Sequence, residues 1–407
     1  MEAHREKEDW REAIALLVKF CRGEAHLDIL LDNAHQLHSR WLVMETFRQW
    51  LVIDALLAPH LKRAPRPEAH NLLRLAVAEC LYREEADRPK VVHYAVEVAR
   101  GIKLSKPEAG FVNGVLRSVL RAGKFSDAGP EKSHPDWLVK RWKNSLGEAA
   151  TQQLLNWNQS IPGLYVRAGE KPEYCDETDW AGYFKVQQSR SPDAIADVKA
   201  GKVYIQDPFT RIPVDLLDPK PGESILDLCA APGGKSRLLS ERMSGKGRLI
   251  LVDKPGNRLE RLISNFARLE KPGPLIIGSL LENLEALAPE HNLECASMDA
   301  VLIDVPCSNT GVIQKRPDVK LRLKEADILA QSEQQLKLLE LAARWVRPGG
   351  RLVYSTCSLE PEENTAVVEA FCKAHGKWKL VREKLSQPWE CGHDGGGAFL
   401  LTIEADA

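Results

Sequence analysis

The chain has 407 residues, 44% hydrophobic and 28% charged, with 56 basic against 57 acidic side chains and a formal net charge of −1. That length exceeds one ordinary core, and the balanced charge gives no global attraction to a polyanion, so any nucleic-acid contact needs local basic surface. Nine scattered cysteines form no secreted disulfide framework or zinc spacing, the charged start is no secretory signal, and no apolar run reaches a membrane span. The expectation is a cytoplasmic protein with neither a metal nor a membrane partner.

Residues 1 to about 125 read as helices, with apolar positions recurring every three or four residues in 13–20, 41–57, 72–81, 91–102 and 111–120. Pro59, Pro65, Pro67, Pro89 and Pro107 fall between these blocks, where helices should stop. A polar stretch, 123–130, closes the bundle. A further helical piece covers 135–155, and the turn-rich segment 165–204 predicts a small α/β subdomain. From about Pro213 strands at 224–228, 248–253, 275–277, 300–305, 351–355 and 399–403 alternate with helices from Gly234 and over 257–269, 325–346 and 362–375. Such alternation predicts a parallel sheet covered by helices on both faces. The expected division is an all-α bundle over 1–130, a small α/β middle subdomain over 131–212, and a Rossmann-like α/β domain over 213–407.

The strand Ile225-Leu226-Asp227-Leu228 runs into the turn Cys229-Ala230-Ala231-Pro232-Gly233-Gly234-Lys235 and then a helix. The glycines let backbone approach a ligand closely, and the helix start offers free amides. Twenty residues past Gly233, Asp253 closes the second strand, where a carboxylate can accept ribose hydroxyls. The turn is not GxGxxG, and Lys235-Ser236 lacks the Walker spacing, which argues against a dinucleotide and a triphosphate. S-adenosylmethionine fits, having a ribose and no phosphate to cradle. A bare strand-to-helix turn is the plain alternative; the position of Asp253 favours a ligand.

Two further strands end on cysteines, in Val305-Pro306-Cys307-Ser308 and Ser355-Thr356-Cys357-Ser358. In one parallel sheet both thiols would emerge at its carboxyl edge, beside the glycine turn, where open α/β sheets bind ligands. Either cysteine alone is more often a core thiol. Together, each following a strand and flanked by Ser or Thr, they point to catalysis. Asp304 either serves that site or caps a turn. Arg258, one turn into the next helix, either meets a ligand or lies on the surface. Two basic clusters, Lys140, Arg141 and Lys143 among Trp137 and Trp142, and Lys315, Arg316, Lys320, Arg322 and Lys324, each read alone as a solvated face.

The run from Asp227 to Lys235, the run from Asp304 to Ile313, and Tyr354-Ser355-Thr356-Cys357-Ser358 resemble motifs of RNA cytosine-5 methyltransferases, and most of all the bacterial RsmB (Sun/Fmu) family of 16S ribosomal RNA enzymes. The stretch from Phe111 to Arg117 resembles part of that family's NusB-like helical domain, which binds RNA or protein. The stretch from His134 to Arg141 resembles the start of its middle RNA-binding segment. The resemblance implies methyl transfer from S-adenosylmethionine to C5 of a cytosine in small-subunit ribosomal RNA. C5 is a poor nucleophile until a thiolate adds at C6, a task cysteine suits because its thiolate is accessible near neutral pH and leaves readily. The family assigns that attack to Cys357, with Cys307 assisting release and Asp304 at the ring nitrogen. It implies cofactor contacts from Cys229, Ala230, Ala231, Pro232, Gly233, Gly234, Lys235, Asp253, Arg258, Ser279 and Asp304. Beside such a site Lys315, Arg316 and Lys320 are expected to hold phosphates near an unpaired or flipped base. Ser279 stands where the family carries an acidic residue, a weaker partner for an adenine amino group. Two other readings remain: a redox pair of Cys307 and Cys357, and a catalytically altered RNA-binding assembly factor of the same fold.

Overall fold

The computed structural model describes residues 2–32, 34–127, 129–188, 191–267 and 273–405. It divides into two compact units: Met1–Ser160 with Ile313–Arg322, and Ile161–Val312 with Leu323–Ala407.

The first unit is helical: α1 (Glu2–Cys21), α2 (Leu27–Asp32), α3 (Leu37–Arg48), α4 (Trp50–Leu57), α5 (Pro67–Tyr82), α6 (Arg88–Gly101), α7 (Lys106–Ala122), α8 (Asp136–Leu146) and α9 (Glu148–Gln159). The block expected over 41–57 is two helices meeting at Gln49. Every residue of α5 from Asn71 to Cys80 is buried, so this helix is the rod against which Leu17, Phe47, Ile53, Val98 and Leu116 pack. Pro67, Pro89 and Pro107 lie in the first turns of α5, α6 and α7. They mark helix starts, because a first-turn residue has no intrahelical partner for its N–H. The helical piece expected over 135–155 is α8 and α9, broken at Gly147 (φ 83), and both helices belong to this unit.

The segment Ile313–Arg322 also belongs here, although the chain on either side of it is in the second unit. A buried polar cluster fastens it. Arg48, 1% exposed, donates from Nη1 to the carbonyls of Asn158 (3.1 Å) and Gln314 (3.0 Å) and pairs with Glu45 at 3.3 Å. Gln314 donates to Ser160 Oγ at 2.8 Å, and Leu321 packs on the helical core.

The second unit opens with a small antiparallel sheet of β1 (Tyr165–Arg167), β2 (Cys175–Asp176), β3 (Tyr183–Val186) and β4 (Tyr204–Ile205) in the order β2-β3-β1-β4, joined by α10 (Pro192–Lys199). After α11 (Arg211–Leu217) come β5 (Ser224–Leu228), α12 (Gly234–Arg242), β6 (Arg248–Asp253), α13 (Asn257–Phe266), β7 (Leu275–Gly278), β8 (Met298–Asp304), α14 (Glu325–Ala343), β9 (Val346–Thr356), α15 (Thr365–Ala374), β10 (Trp378–Ser386) and β11 (Gly396–Ile403). The end of the helix expected over 257–269 includes residues 268 and 269, which lie outside the described residues.

These seven strands form one sheet, β10-β11-β9-β8-β5-β6-β7, parallel from β9 to β7, with β11 and β10 antiparallel at one edge. Alternate residues serve opposite faces: Leu226, Ile250, Val301 and Ile303 pack on one side, Ile225, Leu251, Ala300 and Leu302 on the other. Burial on both faces makes the parallel strands read as continuous apolar runs. β10 escaped that reading because its residues between Trp378 and Ser386 are all exposed and carry no hydrophobic period. The chain order reverses at β5, which pairs with β6 on one side and β8 on the other. Ligand crevices form at such a switch point, outside the carboxyl ends of the strands.

Candidate active site

The turn from Cys229 to Gly234 leaves β5 at this switch point, with Cys229 (φ 58) and Gly233 (φ 101) in the left-handed region. A Cβ on Gly233 would come within 2.7 Å of Leu262 Cδ1, so conformation and space both require glycine. The buried carboxylate of Asp253, at the end of β6, accepts the Ala231 N–H at 2.8 Å. Arg258 donates to the Ala231 carbonyl, and Asn265 to that of Pro232 at 2.9 Å. From the other side Gln206 donates to the Gly234 carbonyl at 2.7 Å while accepting from Arg167 (2.8 Å) and Tyr183 (3.2 Å). The turn is thus held by side chains at both ends before any ligand arrives.

A cavity of about 220 Å³ opens against it, its wall including Gln206, Asp207, Asp227, Ala231, Lys235 and Asp304. Ser236 Oγ donates to Asp227 Oδ2 at 2.5 Å, and Oδ1 has no partner among the described residues. Burial pushes this carboxyl up to about 7, against the pull of Ser236 and Lys235. Burial opposes the Lys235 charge, but Asp304, 2.7 Å away, outweighs it and holds the ammonium above its ordinary value. Ser279 follows β7 with its N–H on the Asp253 carbonyl (2.9 Å) and its hydroxyl on the Leu280 carbonyl (2.8 Å).

β8 and β9 run in register, Asp304 opposite Ser355, so the loops after them leave side by side. Cys307 Sγ and Cys357 Sγ are 3.2 Å apart. The hydrogen bond to Cys357, reinforced by burial, pushes the Cys307 thiol well above its ordinary value. Cys357 is half-buried, lies 3.2 Å from Asn309 Oδ1, and interacts electrostatically with the Lys235 ammonium. Asn309 in turn donates to the Cys307 carbonyl at 2.7 Å. Beneath the thiols the fully buried Glu363 ties the loops together. It accepts from the Ser308 N–H (2.8 Å), the Ser308 and Ser358 hydroxyls and Gln335 Nε2 (2.9 Å). Burial raises the Glu363 carboxyl and these hydrogen bonds pull it back. Gly311 sits where a Cβ would be 2.2 Å from the Gly395 carbonyl oxygen and 2.9 Å from that of Cys357.

The expected turn residues, Asp253, Arg258, Ser279, Asp304, Cys307 and Cys357 therefore share one sheet edge, with Arg258 bracing the turn. The three expected phosphate ligands belong to the other unit. Lys320 corrects the expectation outright: it is 1% exposed, its Nζ donates to the Arg48 carbonyl at 2.7 Å, and burial drives its ammonium well below the ordinary value. Arg316 pairs with Asp28, and Trp142, in the cluster expected to be a solvated face, is buried. Gln206, Asn309, Gln335 and Glu363 were assigned no role from the sequence. Asn309 lies inside the proline-cysteine motif, but nothing separates Glu363 from its exposed-type neighbours except its fold.

The fold and site define a methyltransferase-type open α/β enzyme with an N-terminal helical unit. Residues 214–398 match 16S rRNA methyltransferase RsmB/F, and residues 3–121 match the NusB family. The probable ribosomal RNA small subunit methyltransferase B of Bacillus subtilis is 32% identical over 89% of this chain and 88% of its own. The ribosomal RNA small subunit methyltransferase B of Vibrio cholerae is 33% identical over 69% and 67%. A methyltransferase homolog protein from Pyrococcus horikoshii superposes with a TM-score of 0.56 at 24% identity, covering 66% of this chain and 95% of that one. The chain belongs to the RsmB/F family of 16S ribosomal RNA methyltransferases.

Proposed function

We propose that the protein methylates C5 of a cytosine in 16S ribosomal RNA, using S-adenosylmethionine and a transient bond between Cys357 and C6. The observation that carries this reading is the 3.2 Å thiol pair at the carboxyl edge, next to the Lys235–Asp304 pair and the cavity. Three acidic side chains on the cavity wall, Asp207, Asp227 and Asp304, against one cation, Lys235, suit a cationic ligand and would repel a triphosphate. S-adenosylmethionine supplies, when bound, an electrophilic methyl on a cationic sulfur.

The protein's own groups account for the rest. Cys357, the half-exposed thiol, interacts electrostatically with the Lys235 ammonium and is the attacking group. Its attack forms the S–C6 bond and moves electron density to C5, which takes the methyl. Lys235 and Asp304 offer a shared proton to the polar edge of the base, offsetting charge that builds there. The C5 proton then passes to solvent water, its electron pair restores the C5–C6 double bond as S–C6 breaks, and Cys357 leaves as thiolate. Cys307, in contact with that sulfur, assists this release.

Cys357→Ala is expected to abolish methyl transfer while keeping cofactor affinity. Cys307→Ala is expected to accumulate a protein–RNA adduct that survives denaturant. An adduct formed by the Cys357 variant instead would reverse the two roles. A stoichiometric Cys307–Cys357 disulfide in protein isolated without reductant would favour a redox function.

A further inference from the structure

We propose that Asn309 is a positioning residue that fixes the direction of the hydrogen bonds between the two thiols, making Cys307 the donor and Cys357 the acceptor. The inference rests on the reading above that this pair is catalytic, and adds to it a residue that touches both sulfurs.

Asn309 lies half-buried in the loop after β8, with its backbone in the left-handed region (φ 62). Glycine meets that conformation without strain and asparagine tolerates it, so the reason for a side chain lies in its contacts. The main-chain N–H of Asn309 hydrogen-bonds to the Cys307 thiol. Its Nδ2 donates to the Cys307 carbonyl at 2.7 Å, and its Oδ1 accepts from Cys357 Sγ at 3.2 Å. Exchanging the two amide ends would set Oδ1 against the carbonyl oxygen, acceptor facing acceptor. Oδ1 is therefore held on Cys357, where it can only accept. The N–H is held on Cys307, where it can only donate.

These two ends decide the contact between the sulfurs. They are 3.2 Å apart, and by their spacing alone either could donate. With the Cys357 hydrogen engaged by Oδ1, the hydrogen between the sulfurs is that of Cys307. The bonds form a ring that leaves Asn309 at its N–H, passes through Cys307 and then Cys357, and returns at Oδ1. Release of the methylated base uses this direction. Cys357 departs with the electron pair of the S–C6 bond, and the Cys307 S–H already points at it. The same hydrogen stands between two sulfurs otherwise close enough to join.

The test uses the full chain, S-adenosylmethionine and in vitro transcribed 16S ribosomal RNA. Asn309→Gly removes the carboxamide but keeps the N–H and the backbone conformation, so the melting temperature should move by no more than about 3 °C. Its kcat should fall by about tenfold with KM for both substrates unchanged. Asn309→Asp, of the same size but with no donor for the Cys307 carbonyl, should not restore the rate. A second measurement needs no RNA. Oxidised glutathione converts the pair to a disulfide in two exchanges: the cysteines are oxidised, and the glutathione disulfide is reduced to two thiols that take up the two protons. Followed by mass spectrometry, this disulfide should form several-fold faster in Asn309→Gly than in the parent protein. An unchanged rate of disulfide formation overturns the proposal. So does an unchanged kcat in either variant, or a kcat loss accompanied by a much lower melting temperature. Were Cys357→Ala to keep methyl transfer, the catalytic reading would fail, and the disulfide rates would still judge the ring.

Discussion

Asp227 is a carboxyl held under opposing demands. It is buried with one oxygen on Ser236 and the other without a partner among the described residues, and burial raises its pKa from 3.8 to about 7. The unfolded chain would release this proton near 3.8, so between about pH 4 and pH 7 the folded protein binds more protons than the unfolded one. Its contribution to stability is therefore complete below that window, falls as pH rises through it, and is lost above about 7. Thermal melts should show this decline, and Asp227→Asn should flatten it; an equally steep decline in the variant would assign it to another group. The role of this residue was not legible in the sequence. The turn after it was, because glycine content and the spacing to Asp253 are local, whereas an unpartnered oxygen depends on everything packed around it.

The loops after β8 and β9 carry one cysteine each, and Glu363, from the stretch before α15, joins them. Glu363→Ala would strand the Ser308 N–H and leave Gln335 Nε2 only the Pro306 carbonyl, and should cost about 3 kcal/mol in chemical denaturation. Methyl transfer should fall further than stability alone explains, since the thiol spacing loses its support. Gly311→Ala attacks the same arrangement from above. Its Cβ would press on the backbone of Gly395 and Cys357, so activity should drop even where the protein remains folded. The strands bearing the thiols were readable because burial on both faces leaves unbroken apolar runs. The bracing was not, because Glu362-Glu363 looks like any acidic helix start.

Across the whole chain, the helical first part and the α/β second part were both apparent from hydrophobic period. Their boundary was not: α8 and α9 have ordinary amphipathic patterns, and nothing in them says which core they join. The basic run around Lys320 misled for a related reason, since sequence shows a charge but not the carbonyl that buries it. Arg48 holds that run in the first unit. Arg48→Ala takes the cation from buried Glu45, leaving it the Tyr82 hydroxyl, and should cost about 3 kcal/mol. Hydrogen exchange over residues 314–322 should rise with it, and protection retained there would mean that apolar contacts such as Leu321 suffice.

The passage of Ile313–Arg322 into the first unit and back also limits how the gene can be cut. A fragment starting at Ile161 would still encode these ten residues, but would lack Arg48 and the helices that shelter Lys320, Gln314 and Leu321. It would present an orphaned loop directly downstream of Cys307. Recombination that exchanged the front half for an unrelated module would meet the same obstacle unless these ten residues changed with it.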